Sequence, residues 1–196
     1  MTVSPDLGTP AATSSGIVPT SIPAPAPVPL PAPPAVTAPF DSTAFRAVFR
    51  RHAAGVAVIT AAGARPAGFT ATSLTSVSAD PPLLSFGISS TGSAWPTIAD
   101  AAHVGVHILG EHQEDVAATF ARSGADRFAP PTAWGPGPYG VPLLEDVHVW
   151  LVARVLARIP AGDHRIVVAQ AVAGVPGGDA DRPLLYHHGR YNALRH

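Results

Sequence analysis

The 196-residue chain contains no cysteine and no lysine, so all twelve of its basic residues are arginines. Without lysine, no side chain can serve as the P-loop lysine at the β- and γ-phosphates, and none offers the amine of a Schiff-base or pyridoxal enzyme. Without cysteine there are no thiolate nucleophiles, disulfides, zinc ribbons or cysteine-ligated iron–sulfur clusters. A chain free of disulfides is at home in the cytosol, and a cytoplasmic location is expected. Charge is also scarce: charged residues make up 13% of the chain and the formal net charge is −1. Such a surface lacks the basic field that nucleic acid requires, so no nucleic-acid partner is expected.

Proline is abundant but uneven. Eleven of the 23 prolines fall in residues 1–39, where Asp6 is the only charged side chain. The run P-A-P-A-P-V-P-L-P-A-P-P over residues 23–34 favours extended polyproline II and cannot continue a helix or a central strand. It lacks the basic start and apolar core of a secretory signal, and its prolines exclude a membrane helix. Residues 1–39 are expected to form a disordered leader; the sharper alternative is a ligand for an SH3-like partner. The folded domain is expected over residues 40–196, long enough for a real core.

Within that domain Asp41 or Ser42 caps a predicted helix, with Phe45, Val48, Phe49 and Ala53 at helical spacing and Gly55 at its end. Val56-Ala57-Val58-Ile59-Thr60 predicts a buried strand, and residues 68–78 a second one, neither face of which is cleanly apolar. After Asp80-Pro81-Pro82 the apolar run 83–88 predicts a third strand. Ser93 is placed as the cap of a short helix reaching residue 102, with Pro96 in its first turn. Residues 104–109 predict a strand, residues 111–122 a helix with acids in its first turn, and a long functional loop carries Trp134 and Tyr139. The clearest strand is 147–159, with Val147, Val149, Leu151, Ala153, Val155, Ala157 and Ile159 on one side. Gly162-Asp163-His164 turns it into a partner over 166–175, and Leu184-Leu185-Tyr186 closes the series. Many strands with few short helices indicate a mainly β, antiparallel barrel.

Several motifs fail on context. Gly135, Gly137 and Gly140 satisfy G-x-G-x-x-G, but prolines separate them and no helix follows, so no dinucleotide fold opens there. His103 and His107 are four apart in a strand without a carboxylate at ligand spacing, and read as ordinary histidines near a sheet edge. No G-x-S-x-G elbow supports a hydrolase triad. Residues 66–97 stand out, with twelve Ser or Thr and the single charge of Asp80. Hydroxyls at that density suit either a polar concavity for a phosphate-bearing ring or a solvent-facing Thr-rich strand pair.

The order of motifs is more specific. Gly55-Val56-Ala57-Val58-Ile59-Thr60 is followed by Gly68-Phe69-Thr70-Ala71-Thr72-Ser73-Leu74-Thr75-Ser76-Val77-Ser78 and Asp80-Pro81-Pro82-Leu83-Leu84-Ser85-Phe86. Asp126-Arg127-Phe128, Gly162-Asp163-His164 and Pro183-Leu184-Leu185-Tyr186 with Gly189 and Tyr191 come next in order. This series resembles the flavin reductase family, over about residues 42–192. The resemblance implies an FMN-binding split barrel, usually a homodimer. It also implies hydride transfer from NADH or NADPH to FMN or FAD, with reduced flavin passing to a partner monooxygenase and no membrane involved.

Carried over by position, the resemblance places Thr70, Ala71, Thr72 and Ser73 at the isoalloxazine edge and ribityl chain, with Leu74, Thr75 and Ser76 completing the cradle. Ser89, Ser90, Thr91 and Ser93 fall near the phosphate, with Trp95 behind, and Gln113 matches another flavin contact. His164, the candidate catalytic residue, sits beside the nicotinamide with Tyr191 at the same mouth. Asp163 shapes the turn or orients His164. Arg127 reads equally as an ion pair holding its loop or as a phosphate contact. The chain departs from the family at Ser90, where a basic residue is common, and at His107, where Asn is common. Two rivals remain: a flavoprotein that keeps its flavin and acts on an organic substrate, and a flavin carrier without reductase activity. A pure carrier would not need the nicotinamide side.

Overall fold

A computed structural model of the chain describes residues 40–178 and 182–194; the leader expected over residues 1–39 lies outside the described residues. Asp41 caps α1 (Ser42–Phe49), its carboxylate accepting the N–H groups of Thr43 and Ala44, each at 2.7 Å. The helix stops at Phe49, short of the expected Gly55, because Arg51 and His52 close tight turns onto the carbonyls of Val48 and Phe49. The strands β1 (Ala54–Gly55), β2 (Ala57–Ala61), β3 (Ala67–Ala71), β4 (Thr75–Ala79) and β5 (Pro82–Ser89) follow. Next come α2 (Trp95–Asp100), β6 (His103–Ile108) and α3 (Glu114–Ala121). The expected long loop contains β7 (Trp134–Pro136) and β8 (Pro142–Leu144), joined by a 3-10 turn at Pro138–Gly140. The chain ends in β9 (Val149–Ala161), β10 (His164–Val175), β11 (Leu185–His187) and β12 (Arg190–Asn192).

The mainly β, antiparallel expectation holds. Seven strands form one sheet in the order β3-β2-β6-β9-β10-β5-β4, and β1, β11 and β12 form a smaller one. The strand expected over 68–78 is in fact two, at opposite ends of the sheet: β3 pairs with β2, and β4 with β5. Residues 72–74 carry the chain from one end to the other, which explains why neither alternating row is apolar. The ends meet over a core of Ile59, Phe86, Ile98, Val104 and Val167, where Phe69 of β3 lies 6.1 Å from Phe86 of β5. The sheet is therefore curled, although among the described residues no ladder joins β3 to β4 or β5. A second core of Val56, Val58, Leu109, Phe120 and Leu184 packs beside α3. Each such side chain contributes roughly 1.5–3 kcal/mol when fully buried.

The one-sided pattern expected along 147–159 breaks at a bulge. Val168 faces Ala157 and Ala169 faces Val155, so Leu156 is an extra residue on β9 and points outward. Val152 and Ala153, successive residues on opposite faces of β9, are both buried.

His107 lies in β6 between β2 and β9, not near a sheet edge as expected, and is fully buried. Its Nδ1–H donates to the Val58 carbonyl at 3.1 Å, and its Nε2 accepts the Leu144 N–H at 3.1 Å. Thr60 donates to the Pro142 carbonyl at 2.6 Å beside it, and a Cβ on Gly105 would come within 2.4 Å of that hydroxyl. This knot fixes β8 against β2 and β6. Burial pushes the His107 imidazole down to about 4, opposed only by the bond to Val58. An unfolded histidine titrates near 6.5, so between those values the unfolded chain binds more protons and stability falls as pH drops, by on the order of 3 kcal/mol in total. His107→Asn should remove that component from the pH dependence of the urea midpoint between pH 6.5 and 4. A slope equal to that of the parent chain would assign the acid sensitivity to other groups.

Candidate active site

The hydroxyl-rich segment forms a ledge where the sheet's ends meet. Thr70 donates to the Ala117 carbonyl of α3 at 2.6 Å, and Ala71, 3% exposed, turns its methyl into the core. Ser73 closes the seam: its hydroxyl accepts the Gly87 N–H at 2.9 Å and donates to the Gly87 carbonyl at 3.3 Å. Beyond it, Leu74 packs on the core while Thr75 and Ser76 pair with Ser85 and Leu84 of β5. The expected single cradle is divided. Thr72 and Ser73 line a groove of about 500 Å³ that also contains residues of α1, whereas Leu74, Thr75 and Ser76 line an apolar cavity of about 310 Å³.

The turn after β5 is locked by its own hydroxyls. Ser89 and Thr91 bond each other at 3.1 Å, and the N–H and hydroxyl of Ser90 both donate to the Asp163 carbonyl, at 3.0 and 2.8 Å. Ser90 thus clamps this turn to the Gly-Asp-His turn. Ser93 does not cap α2, whose N-cap residue is Ala94; its hydroxyl instead accepts from Arg127 Nη1 at 3.0 Å. Trp95 packs against the core with the Arg165 guanidinium 5.8 Å from its ring centroid.

Arg127 makes no ion pair among the described residues, which removes one of its two expected roles. Nη2 donates to the Arg122 carbonyl at 2.9 Å, and Nε is buried with no partner. Burial holds the guanidinium below its ordinary pKa. It lines a cavity of about 640 Å³ with Arg65, Gly68 and Ser93. The residue is only partly buried, so water screens its charge, but the guanidinium is left with capacity to bond an anion. Arg65 was not singled out by any motif; only the fold brings the turn before β3 to Arg127.

Gly162 adopts φ +61, which a residue with a Cβ resists, and this makes the tight turn into β10. His164 pairs with Ser89 across the β10–β5 ladder, and its Nδ1–H donates to the Asp163 carboxylate at 2.7 Å. Both side chains are exposed, and the hydrogen bond from His164, then its charge, hold the Asp163 carboxyl below its usual range. The pair fixes the imidazole, and Nε2 has no hydrogen-bond partner among the described residues. Asp163 therefore orients His164.

Two expected site residues stand elsewhere. Tyr191 packs on the second core, edge-on to Tyr186 at 5.4 Å, and lines a separate cavity with Glu111 and Glu114. Burial, then the charges of Tyr186 and Glu114, raise its phenol pKa. Gln113 is 5% exposed; its Oε1 accepts the Gly110 N–H at 2.8 Å and its Nε2 donates to the Asp146 carbonyl at 2.6 Å. With these two bonds the amide staples the start of α3 to the segment before β9.

The assembly of ledge, clamped turn and Gly-Asp-His turn is matched by known sequences: residues 49–195 fit the model of the flavin reductase like domain. The chain belongs to this family. It is 44% identical over 151 residues to the NADH:FMN oxidoreductase of Rhodococcus erythropolis, covering 75% of this chain and 79% of that one. The reductase component of a 4-nitrophenol 4-monooxygenase/4-nitrocatechol 2-monooxygenase from Rhodococcus opacus is 36% identical, over 80% of this chain and 83% of its own. Among solved structures, an NADH:FAD oxidoreductase of Streptomyces globisporus, in complex with NAD and FAD fragments, superposes with a TM-score of 0.75. It is 28% identical and covers 81% of this chain and 95% of that one.

The two backbone bonds of the buried Gln113 amide yield a clear expectation. Gln113→Leu leaves two backbone groups without partners and should cost about 2 kcal/mol in urea unfolding. The FMN dissociation constant of the folded variant should stay within about twofold of the parent, as expected for a buried side chain whose amide is engaged by two backbone groups. A large loss of FMN affinity would return Gln113 to the binding site.

Proposed function

We propose that the protein is an NAD(P)H:flavin oxidoreductase that reduces FMN or FAD and releases the product to a partner monooxygenase. The observation that carries this reading is the pair of links across the seam, Ser73 to Gly87 and Ser90 to Asp163. They join the hydroxyl ledge, the turn after β5 and His164 into one surface. The relatives named above support the reaction class.

The residues fit a flavin. Arg127, with its buried unpartnered Nε, and Arg65 offer positive charge to a phosphate beside Ser93. This supplies the basic group that Ser90 does not, and Ser90 is committed to the clamp. Thr72 and Ser73 offer hydroxyls to a polar ring edge, as do Thr75 and Ser76 on the far side of the ledge. When bound, the flavin supplies the ring that accepts a hydride from the nicotinamide, with one proton drawn from solvent. The chain needs no nucleophile for this, which is consistent with the absence of Lys and Cys. Its task is to hold two rings in contact and to set His164 beside them through Asp163.

The finer features belong to the same proposal. The catalytic domain spans residues 40–196, and a homodimer of split barrels is supported by apolar residues that the β9–β10 hairpin leaves exposed: Leu156, Ile159, Ile166 and Val175. No helix among the described residues is long and apolar enough to cross a membrane, and the lack of cysteine suits the cytoplasm.

Anaerobic mixing of the protein with NADH or NADPH and free FMN or FAD should oxidise the nicotinamide in at least one of the four pairs; inactivity with all four refutes the proposal. Arg127→Met should raise the FMN dissociation constant about tenfold, the loss of one charge-assisted contact, and change riboflavin binding much less. Equal losses for the two flavins would make Arg127 a structural residue. His164→Ala should raise KM for the nicotinamide several-fold with little change in flavin binding, as measured by stopped-flow absorbance and fluorescence titration.

A further inference from the structure

A second basic cavity lies apart from the Arg65–Arg127 cleft. It is the groove of about 500 Å³ between α1 and the β11–β12 hairpin. Arg46 and Arg50, one helical turn apart on α1, stand along one wall with Phe45 and Phe49, and His187 and His188 stand opposite. Its lining contains no carboxylate. Neither arginine side chain makes a hydrogen bond or ion pair among the described residues, and the rest of the lining combines aromatic rings with the hydroxyls of Thr72 and Ser73.

The groove is a built feature. The His188 N–H donates to the Arg50 carbonyl at 2.9 Å, tying the hairpin turn to the end of α1. His188 and Gly189 take φ +53 and +78, and a Cβ on Gly189 would come within 3.3 Å of Arg50 Nη2. The two phenylalanine rings pack together at 4.6 Å, half exposed into the space.

Ser73, on the floor of the groove, is bonded to Gly87; Gly87 and Ser89 are two residues apart on β5, and Ser89 faces His164. Two residues of strand span roughly 7 Å. The charge of Arg46 also reaches the Asp163 carboxyl and helps hold it ionised. The groove therefore lies near the turn at which the nicotinamide ring is placed above. A ligand suited to it carries negative charge between flat rings. Both the nicotinamide donor and FAD carry a pyrophosphate with an adenosine beyond it, and FMN does not; the nearness of Arg46 to the Asp163–His164 turn favours the donor.

We propose that the α1 groove holds the adenosine-diphosphate half of the donor, with Arg46 and Arg50 on the pyrophosphate and Phe45 and Phe49 against the adenine. The flavin phosphate and the donor phosphates then occupy different arginine pairs at the two ends of β3. This assignment rests on the reductase reading.

The probe is 5′-ADP, titrated into the full chain by calorimetry and used as an inhibitor against NADH. ADP should bind and compete with NADH. Arg50→Ala should raise its Kd and the KM for NADH about tenfold, with kcat and the FMN dissociation constant within about twofold and Arg50→Lys restoring part of the loss. Arg46→Ala gives the same comparison should the Arg50 variant not fold. Failure of ADP to bind, affinities that do not depend on either arginine, or parallel tenfold losses of ADP and FMN affinity would each overturn the groove assignment. Absence of nicotinamide oxidation with every flavin overturns the reductase reading instead, and ADP titration separates that failure from this one.

Discussion

The ladder between β9 and β10 sets the position of everything in the site, because it is long, central and twice interrupted. Its thirteen and twelve residues are flanked by β6 and β5, so any bend in the ladder is transmitted to both halves of the sheet. Leu156 on β9 and Val172 on β10 are each left without a partner in the register, and both side chains are exposed. Bulges of this kind increase local twist and turn a strand away from its plane. The resulting curl brings β3 over β5, which allows a single serine, Ser73, to bridge the two. The same ladder ends in the turn that presents His164. Its length therefore determines that the imidazole emerges beside the turn after β5, where Ser90 can clamp it.

Polarity is distributed around that curl in a way that follows from composition. With no lysine and few acids, the chain meets anions with hydroxyls, backbone amides and arginines. Hydroxyls satisfy neighbouring groups in the folded state as readily as they satisfy a ligand, and most of them here do so: Thr70 with α3, Ser73 with Gly87, Ser90 with Asp163. The arginines behave differently. Arg158 spans the carbonyls of Ile98 and Ala101 and closes the end of α2. Arg127, Arg65, Arg46 and Arg50 have no acidic partner among the described residues and line cavities. Of these, Arg127 is held by neutral hydrogen bonds to Ser93 and the Arg122 carbonyl, and it is the one that the proposed function sets against the flavin phosphate.

How much of this was legible in the sequence depended on whether a signal was local. Asp41 as a cap, the buried run of β2 and the hairpin at Gly162 are local and were read correctly. The 68–78 segment misled because a strand that changes partner midway keeps its β propensity throughout, so alternation cannot reveal the break. Leu156 misled for a related reason: one inserted residue inverts the pattern beyond it, and the true phase is set by β10 rather than by β9 itself. Motif order carried the family and the reaction class. It did not carry the assignment of residues to cavities, since Gln113 and Tyr191 occupy matching positions and yet line other spaces. The i, i+4 pair Arg46 and Arg50 was visible as spacing but had no meaning until the β11–β12 hairpin was placed opposite it.

The weakest element of the site is α1, and its weakness bears on how the site works. Eight residues with none buried fall below the length at which a helix is stable by itself. Its one side-chain cap, the Arg50–His188 link and the packing of Phe45 on Phe49 hold it in place. Such an element opens at low free-energy cost compared with the core strands. On the groove assignment proposed above, a dianionic ligand that bridges Arg46 and Arg50 only when α1 is closed stabilises the helix by RT ln(1 + [L]/Kd). Order in α1 and occupancy of the groove are thus coupled. On that same proposal the nicotinamide side of the site is completed by its own ligand, while the ledge and the clamped turn are already fixed by strand pairing and hydrogen bonds.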